Sequence, residues 1–145
     1  MLYIREVKEE DSEQILTWRN NPEIFKYLLT PKPVDRTEHI SWFKSILDNK
    51  TVKFFVAFLG EDPCGTIRFD MLGNFKEAEV GIYIDPKFFG KGIGLNLLKL
   101  GEEEIKKTFD LKKIQARVLN ENIASKKMFL KNNYELKQLI LEKEF

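Results

Sequence analysis

Three successive runs typical of strands, the first rich in Val and Phe and the other two alternating between apolar and polar residues, constrain the fold of this chain most strongly. They cover residues 52–59, 65–71 and 77–84, and the turns between them contain Gly60 and Gly73. A period of two is typical of strands, and short glycine-containing turns join antiparallel neighbours. The sequence therefore predicts a three-stranded antiparallel meander in the middle of the chain.

Two capping patterns predict the helices that lie between this meander and an opening strand over residues 2–7. Asp11 is followed three residues later by Gln14, and Asp35 by Glu38. In such a pair the first side chain accepts a hydrogen bond from the start of a helix. We expect a helix from Asp11 to about residue 20, a short helix within residues 23–33, and a third from Asp35. The third has an apolar stripe at spacings of three and four: Ile40, Phe43, Ile46 and Leu47.

Beyond the meander the pattern predicts a helix over residues 92–109, a strand over 113–118, a helix over 124–131 and a last strand over 134–141. A strand reached through a crossover helix lies parallel to the strand before that helix. We therefore predict one α/β domain over residues 1–145, with a mixed, mostly antiparallel sheet flanked by helices. Ligands of such sheets bind at the carboxyl ends of strands, here after Ile84.

Composition excludes several classes of function. Lys and Arg total 24 against 23 Asp and Glu, so the net charge of +1 gives no broad field for nucleic acid or an anionic membrane. His39 is the only histidine and Cys64 the only cysteine, which leaves no zinc-ligand cluster, no hydrolase triad and no intramolecular disulfide. Because a lone cysteine fits a reducing compartment and no signal or spanning segment is present, we expect a cytoplasmic protein without metal.

The segment between the third meander strand and the following helix is rich in glycine. It contains Gly90, Gly92 and Gly94, in the order Phe89-Gly90-Lys91-Gly92-Ile93-Gly94. Glycines allow a tight turn whose N–H groups point into one concavity, and a helix N-terminus favours phosphate. No Lys-Ser or Lys-Thr pair follows, so this is not a Walker loop, and a tight turn without a ligand remains the alternative.

Residues 78–98, with this loop at their centre, resemble the acetyl-CoA-binding core of the GNAT acetyltransferases. Gly92 and Gly94 match the loop signature of that family, and Phe89 stands where Gln or Arg is usual. A second block, from Asn122 to Tyr134, resembles the last helix of the family. The resemblance implies a GNAT fold whose sheet splays at the cofactor site, with acetyl-CoA as co-substrate. The residues it assigns to the coenzyme are Ile82, Tyr83, Ile84, Phe89, Gly90, Lys91, Gly92, Ile93, Gly94, Asn122, Ser125 and Phe129.

The same resemblance implies where catalysis takes place. An ammonium must lose a proton before it attacks a thioester, and a carboxylate can take that proton. Many family members carry a general base on the strand that contains Glu79. Glu79 is therefore our candidate for the base, and Glu77 is the reserve candidate. Family members commonly have a tyrosine at the position of Phe129 to protonate the thiolate. Either no acid is needed or another group, such as Tyr83, supplies the proton.

The first helices resemble those of one branch, which acetylates nucleotide-linked amino sugars, as in pseudaminic acid biosynthesis. The matching segments are residues 16–24 and 38–43, and the first is shared with ribosomal-protein N-terminal acetyltransferases. The resemblance implies an amine acceptor on a small molecule. We expect a monomer or, because edge strands at the end of the chain are exposed, a homodimer. Alternatives are a protein N-terminus, a polyamine, and a non-catalytic acyl-CoA-binding domain. The candidate acceptor residues are Trp18, Arg19, Asn20, His39 and Trp42.

Overall fold

The computed structural model describes residues 1–145 and contains one five-stranded sheet in the order β1-β2-β3-β4-β5. The strands are β1 Leu2–Glu6, β2 Val52–Leu59, β3 Asp62–Leu72, β4 Glu77–Ile84 and β5 Lys113–Ala116. The helices are α1 Ser12–Arg19, α2 Pro22–Phe25, α3 Arg36–Leu47, α4 Ile93–Thr108 and α5 Ile123–Lys131. Strands β1 to β4 are antiparallel neighbours and β5 is parallel to β4, which confirms the predicted meander and crossover. None of these helices is long and apolar enough to cross a membrane.

The two faces of the sheet are covered unequally. Helix α4 packs on one face and buries side chains such as Phe69 and Leu97. Helices α1 to α3 pack on the other face, where Trp18 and Phe43 meet Phe54 of β2. On that second face the early helices cover the β2 side, and charged side chains occupy the part formed by β3, β4 and β5. We call this part the open face: its residues are Arg68, Asp70, Glu79, Gly81, Gln115 and the adjoining Arg117.

Glycine lets α4 lie directly on the sheet. A Cβ added to Gly101 would lie 2.4 Å from Cδ1 of Ile67, closer than any real contact. At the start of the same helix, a Cβ on Gly94 would lie 2.8 Å from the sulfur of Met128 on α5. Because both neighbours press on α4 where it has no side chain, the helix and the loop before it are fixed against β3 and α5.

Two details of the early helices differ from the prediction. Asp11 does not cap α1, because its carboxylate accepts two hydrogen bonds from Arg5 and one from the Lys8 amide, which close a 3-10 turn ahead of the helix. In α3, Asp35 caps as predicted, but Ile40 and Leu47 of the predicted stripe are exposed. The buried face of that helix consists of His39, Phe43 and Ile46.

The predicted last strand does not form. Helix α5 ends with Asn133 in the left-handed region (φ 65°), and the Tyr134 amide bonds back to the Phe129 carbonyl. That cap directs Tyr134 toward α4 instead of along β5. Residues 135–145 make no backbone–backbone hydrogen bond, and their leucines and isoleucine are exposed. The alternating pattern predicted a strand but did not supply an edge for it to pair with.

Candidate active site

Asp85 begins the loop that connects β4 to α4. Its amide donates to the Cys64 carbonyl at 2.8 Å, which is the last bond between β3 and this segment. Its buried carboxylate accepts from the Lys87 amide at 2.9 Å and from Nε1 of Trp18 at 2.9 Å. One carboxylate therefore fixes the direction of the loop and ties it to α1.

The glycines of this loop have the conformation that the sequence predicted. Gly90 and Gly92 have φ of +77° and +71°, the left-handed region that side chains rarely adopt, and a Cβ on either would meet nothing within 4 Å. Gly92 is the N-cap residue of α4. From Gly90 to Leu95 the backbone N–H groups donate to no acceptor in the protein. A row of free donors at a helix N-terminus fits a diphosphate well.

The side chains of the loop add little polarity to that row. Phe89, in the place of the family's Gln or Arg, is half exposed. Lys91 Nζ lies 5.7 Å from the centre of the Phe88 ring, and Ile93 is buried under the helix. We call the row of free donors from Gly90 to Leu95 the cradle. The main chain therefore supplies most of its polar groups, with Lys91 as a nearby cation.

Strands β4 and β5 separate beside residues 82–84, as the resemblance led us to expect. Strand β4 pairs with β3 as far as Ile84, but its register with β5 ends at Val80 and Ala116. From Gly81 onward one edge of β4 is therefore free, as expected for Ile82, Tyr83 and Ile84. Backbone groups on such an edge can bond the amides of an extended ligand.

Helix α5 borders this gap with few polar groups. Asn122 caps it by accepting from the Ser125 amide at 3.2 Å. Phe129 is buried, and its ring centre lies 5.0 Å from that of Tyr134. The Tyr134 hydroxyl donates to Glu102 at 2.6 Å, and burial together with that carboxylate raises the pKa of Tyr134. The nearest phenol to Phe129 therefore holds its proton firmly.

Glu79 lies on the open face of β4. Its Oε1 accepts from Nε of Arg117 at 2.7 Å and from Nε2 of Gln115 at 3.1 Å, and its side chain is 31% exposed. Glu77, the reserve candidate, lies two residues farther from the loop and pairs with Lys113 at 3.1 Å. Of the two carboxylates, Glu79 is the nearer to the free edge of β4.

Tyr83 lies between the open face and the early helices. Its ring meets Trp18 edge-on with centroids 6.2 Å apart, and burial raises the pKa of Tyr83 to about 12. A thiol has a pKa of about 8.5, so a phenol of this kind is the weaker acid. Tyr83 can donate a hydrogen bond at neutral pH but gives up its proton reluctantly.

The five candidate acceptor residues do not converge on one point. Trp18 is buried and donates to Asp85, so it joins α1 to the loop. Arg19 donates to the Lys32 carbonyl at 3.0 Å. Asn20 exchanges two hydrogen bonds with the backbone of Val34, which holds the segment before α3.

His39 and Trp42 lie on the same helix in different settings. His39 is buried, its Nε2 lies 3.0 Å from the Ser12 carbonyl oxygen, and burial lowers its pKa. Trp42 is partly exposed and holds the guanidinium of Arg68 5.7 Å from its ring centre. Trp42 is thus the one candidate of the five that contacts the charged residues of the open face.

Sequence reasoning missed several residues near this site. The sequence alone did not single out Arg68, Asp70 or Arg117. It also did not single out Gly81 or the carboxylate of Asp85. A glycine in the middle of a strand, with polar residues at every second position of its neighbour, was the available signal for a ligand surface.

Strand β4 carries both a free edge and the carboxylate of Glu79, and the donor row lies at the N-terminus of α4. The chain belongs to the GNAT acetyltransferase family, since it matches the acetyltransferase (GNAT) domain over residues 1–135. It is accordingly an N-acetyltransferase that uses acetyl-CoA as co-substrate. The resemblance stated from the sequence is confirmed.

The chain is similar to acetyltransferases of more than one kind. The chain is 30% identical over 134 residues to acetyltransferase PseH of Campylobacter jejuni, covering 90% of this chain and 81% of that protein. It is similar in structure to spermidine N-acetyltransferase from Vibrio cholerae in complex with CoA and spermine, with TM-score 0.88, 20% identity and coverage of 99% and 86%. It is also similar to RimL, a ribosomal L7/L12 alpha-N-protein acetyltransferase in complex with coenzyme A, with TM-score 0.85, 18% identity and coverage of 99% and 85%. At these identities the two structures show the fold alone.

Proposed function

We propose that this protein transfers the acetyl group of acetyl-CoA to the primary amine of a nucleotide-linked amino sugar. The row of free backbone donors from Gly90 to Leu95 carries the coenzyme part of the proposal. The acceptor part rests on the likeness to PseH, which extends over 90% of the chain. We place the reaction in the cytoplasm, because a reducing compartment suits both acetyl-CoA and the free thiol of Cys64.

In this proposal Glu79 is the general base. An alkyl ammonium has a pKa near that of lysine, about 10.4, and must lose a proton before its nitrogen can attack. Glu79 takes that proton, directly or through water, while Arg117 and Gln115 hold the carboxylate in place. The amine nitrogen then forms the new C–N bond as the C–S bond of the thioester breaks.

The main chain stabilises the charge that develops on the acetyl oxygen. Because the Asp85 amide bonds to β3 and N–H directions alternate along a strand, Ile82 and Ile84 present their N–H groups at the free edge of β4. Preorganised donors of this kind lower the barrier of acyl transfer. The diphosphate of the coenzyme lies in the donor row before α4, with Ile93 buried beneath it. Asn122 and Ser125 support the start of the helix that borders the pantetheine arm.

Tyr83 serves in this proposal as a hydrogen-bond donor, and water protonates the departing thiolate. Phe129 has no proton to give, and the raised pKa of Tyr83, about 12, makes it a weaker acid than the thiol that it would protonate. A thiolate is a tolerable leaving group without an acid. Candidate acceptor contacts remain those of Trp42, with Trp18, Arg19, Asn20 and His39 holding the helices around it.

Thiol release from acetyl-CoA tests this proposal with three sets of amines: nucleotide-linked amino sugars, peptides with a free N-terminus, and polyamines. We expect the first set to be acetylated with the highest kcat/KM. Glu79→Gln should lower kcat by about 100-fold or more, as loss of a general base does. Glu77→Gln, a matched change on the same strand, should leave kcat nearly unchanged.

Each other outcome identifies a different error. Full activity of Glu79→Gln would remove Glu79 as the base. A preference for peptides would favour an N-terminal acetyltransferase. The open face of the sheet is also compatible with a peptide acceptor. Acetyl-CoA binding without thiol release toward any amine would point to a non-catalytic domain.

A further inference from the structure

Gly81 forms a gap in the middle of the open face. It is exposed, and a Cβ added there would meet nothing within 4 Å. Its φ is not in the left-handed region, so the backbone does not require glycine at this position. A strand interior normally favours a larger residue, and a glycine there often marks the close approach of a ligand.

Two ion pairs border this gap on neighbouring strands. Arg68 lies directly opposite Gly81 in the register of β3 and β4, and it binds Asp70 through two bonds of 2.7 and 3.3 Å. Asp70 lies opposite Glu79, which binds Arg117. Opposite residues of an antiparallel pair share a face, with Cβ atoms about 5 Å apart. Two carboxylates and two guanidiniums therefore surround one open floor.

Both pairs are accessible to a ligand. The side chains of Arg68, Asp70 and Glu79 are 30%, 39% and 31% exposed, and that of Arg117 is 67% exposed. Partly exposed ion pairs contribute little to folding stability. A guanidinium has five N–H donors, and Arg117 uses only Nε toward Glu79, so a ligand can bond its other donors while that pair is kept. Trp42 adds an aromatic wall beside Arg68.

We propose that the floor at Gly81 is the acceptor site and that it binds a molecule carrying both an ammonium and a phosphate. The ammonium lies against Glu79 and Asp70, and the phosphate oxygens lie against Arg68 and Arg117. Guanidiniums bind phosphate through two parallel hydrogen bonds, a geometry that an ammonium side chain cannot provide. This inference rests on the proposed function and assigns its acceptor to particular residues.

The floor is tested by Gly81→Val. Valine favours a strand and has open space here, so the variant should fold at least as stably as the wild type. We expect the acceptor KM to rise about tenfold or more, the effect of losing one good contact, while the KM for acetyl-CoA stays the same. An unchanged acceptor KM in the folded variant would overturn the assignment of the floor.

The phosphate contacts are tested with uridine diphosphate as the probe. It should compete with the acceptor but not with acetyl-CoA, and Arg68→Gln and Arg117→Gln should each weaken its binding by about tenfold. Lys53→Gln is the control, because Lys53 also forms a partly exposed ion pair, with Glu6 at 3.4 Å, away from the open face. Equal binding to all four proteins, or none to the wild type, would overturn the phosphate contact.

Calorimetry with uridine diphosphate separates this inference from the proposed function. If uridine diphosphate binds in a way that depends on both arginines but the protein releases no thiol, the acceptor site is supported and the proposed acetyl transfer is refuted. If an amine without a phosphate is acetylated at full rate and uridine diphosphate does not bind, the acceptor site is refuted and the acetyl transfer is supported.

Discussion

The proposed coenzyme side and the proposed acceptor side of this molecule are built from different groups. On the coenzyme side the polar atoms belong mainly to the main chain, from Gly90 to Leu95 and along the free edge of β4. On the acceptor side they belong to side chains of three strands, among them Arg68, Glu79 and Arg117. One side depends on backbone conformation, and the other depends on residue identity.

This difference explains how one fold serves many acceptors. A main-chain cradle tolerates almost any side chain as long as its glycines keep their conformation. A face made of side chains changes its specificity with each substitution. The hydrogen bond between Trp18 and Asp85 joins the early helices, which lie beside the acceptor side, to the loop of the coenzyme side.

The largest effect is expected where the main chain of the coenzyme side is disturbed. Gly92→Ala places a methyl group at φ +71°, which costs about 1–2 kcal/mol if the backbone holds its conformation. Relief of that strain misaligns donors worth about 1.5–3 kcal/mol each toward a charged group, so the Kd for acetyl-CoA should rise roughly 100-fold. Calorimetry measures this Kd.

Gly60→Ala is the matched control for that variant. Gly60 has a similar φ of +66° and equally open surroundings, but it lies in the turn between β2 and β3. Both variants should lose similar stability, and only Gly92→Ala should lose acetyl-CoA affinity. If the two bind acetyl-CoA alike, the cradle does not depend on the loop conformation.

The next largest effect should come from the bond that joins the two sides. Trp18→Phe keeps an aromatic ring but removes the donor to the buried Asp85 carboxylate. Leaving a buried acceptor short of a partner should lower the free energy of unfolding by about 1–3 kcal/mol, measured by chemical denaturation. Asp85→Asn retains an acceptor and should cost less. A loss below about 0.5 kcal/mol in Trp18→Phe would show that the bond does not couple the helices to the loop.

A smaller effect concerns pH on the acceptor side. Burial lowers the pKa of His39 in the folded protein, so between that value and about 6.5 the unfolded chain binds more protons. Stability should therefore fall as the pH drops below about 6.5. The charges of Glu13 and Arg36 act on His39 in opposite directions. His39→Gln should remove this part of the pH dependence in denaturation experiments from pH 7 to 5, and an unchanged slope would contradict the account.

The smallest effect is expected from Phe129→Tyr. If water protonates the thiolate, a hydroxyl at this buried position should change kcat by less than about threefold, a difference under 1 kcal/mol. Steady-state kinetics at neutral pH measures it. An increase of tenfold or more would show that the reaction was limited by the missing acid.

Local patterns predicted the strands, the loop and the helix that form the proposed coenzyme side. The alternation of β3 and β4, the glycine loop and the helix α4 are all encoded within short stretches, and a main-chain site requires little more than these. The helix capped by Asp35 and the parallel strand β5 followed from the same reasoning.

Contacts between distant parts of the chain could not be predicted in this way. The capping of α1 was wrong because Arg5, six residues before Asp11, competes for the same carboxylate. The bond between Trp18 and Asp85, and the meeting of Glu79 with Arg117, depend on which strands and helices pack together. The strand predicted after Tyr134 was wrong because alternation does not state which edge is available.

The coenzyme cradle is tested most directly by comparing acetyl-CoA with S-acetylpantetheine in calorimetric titrations of the wild-type protein. The second molecule keeps the thioester and the amides but lacks the diphosphate and the nucleoside. We predict that acetyl-CoA binds about 100-fold more tightly, with the advantage nearly abolished in Gly92→Ala. Equal affinities for the two molecules, or no binding of acetyl-CoA by the folded protein, would contradict the account.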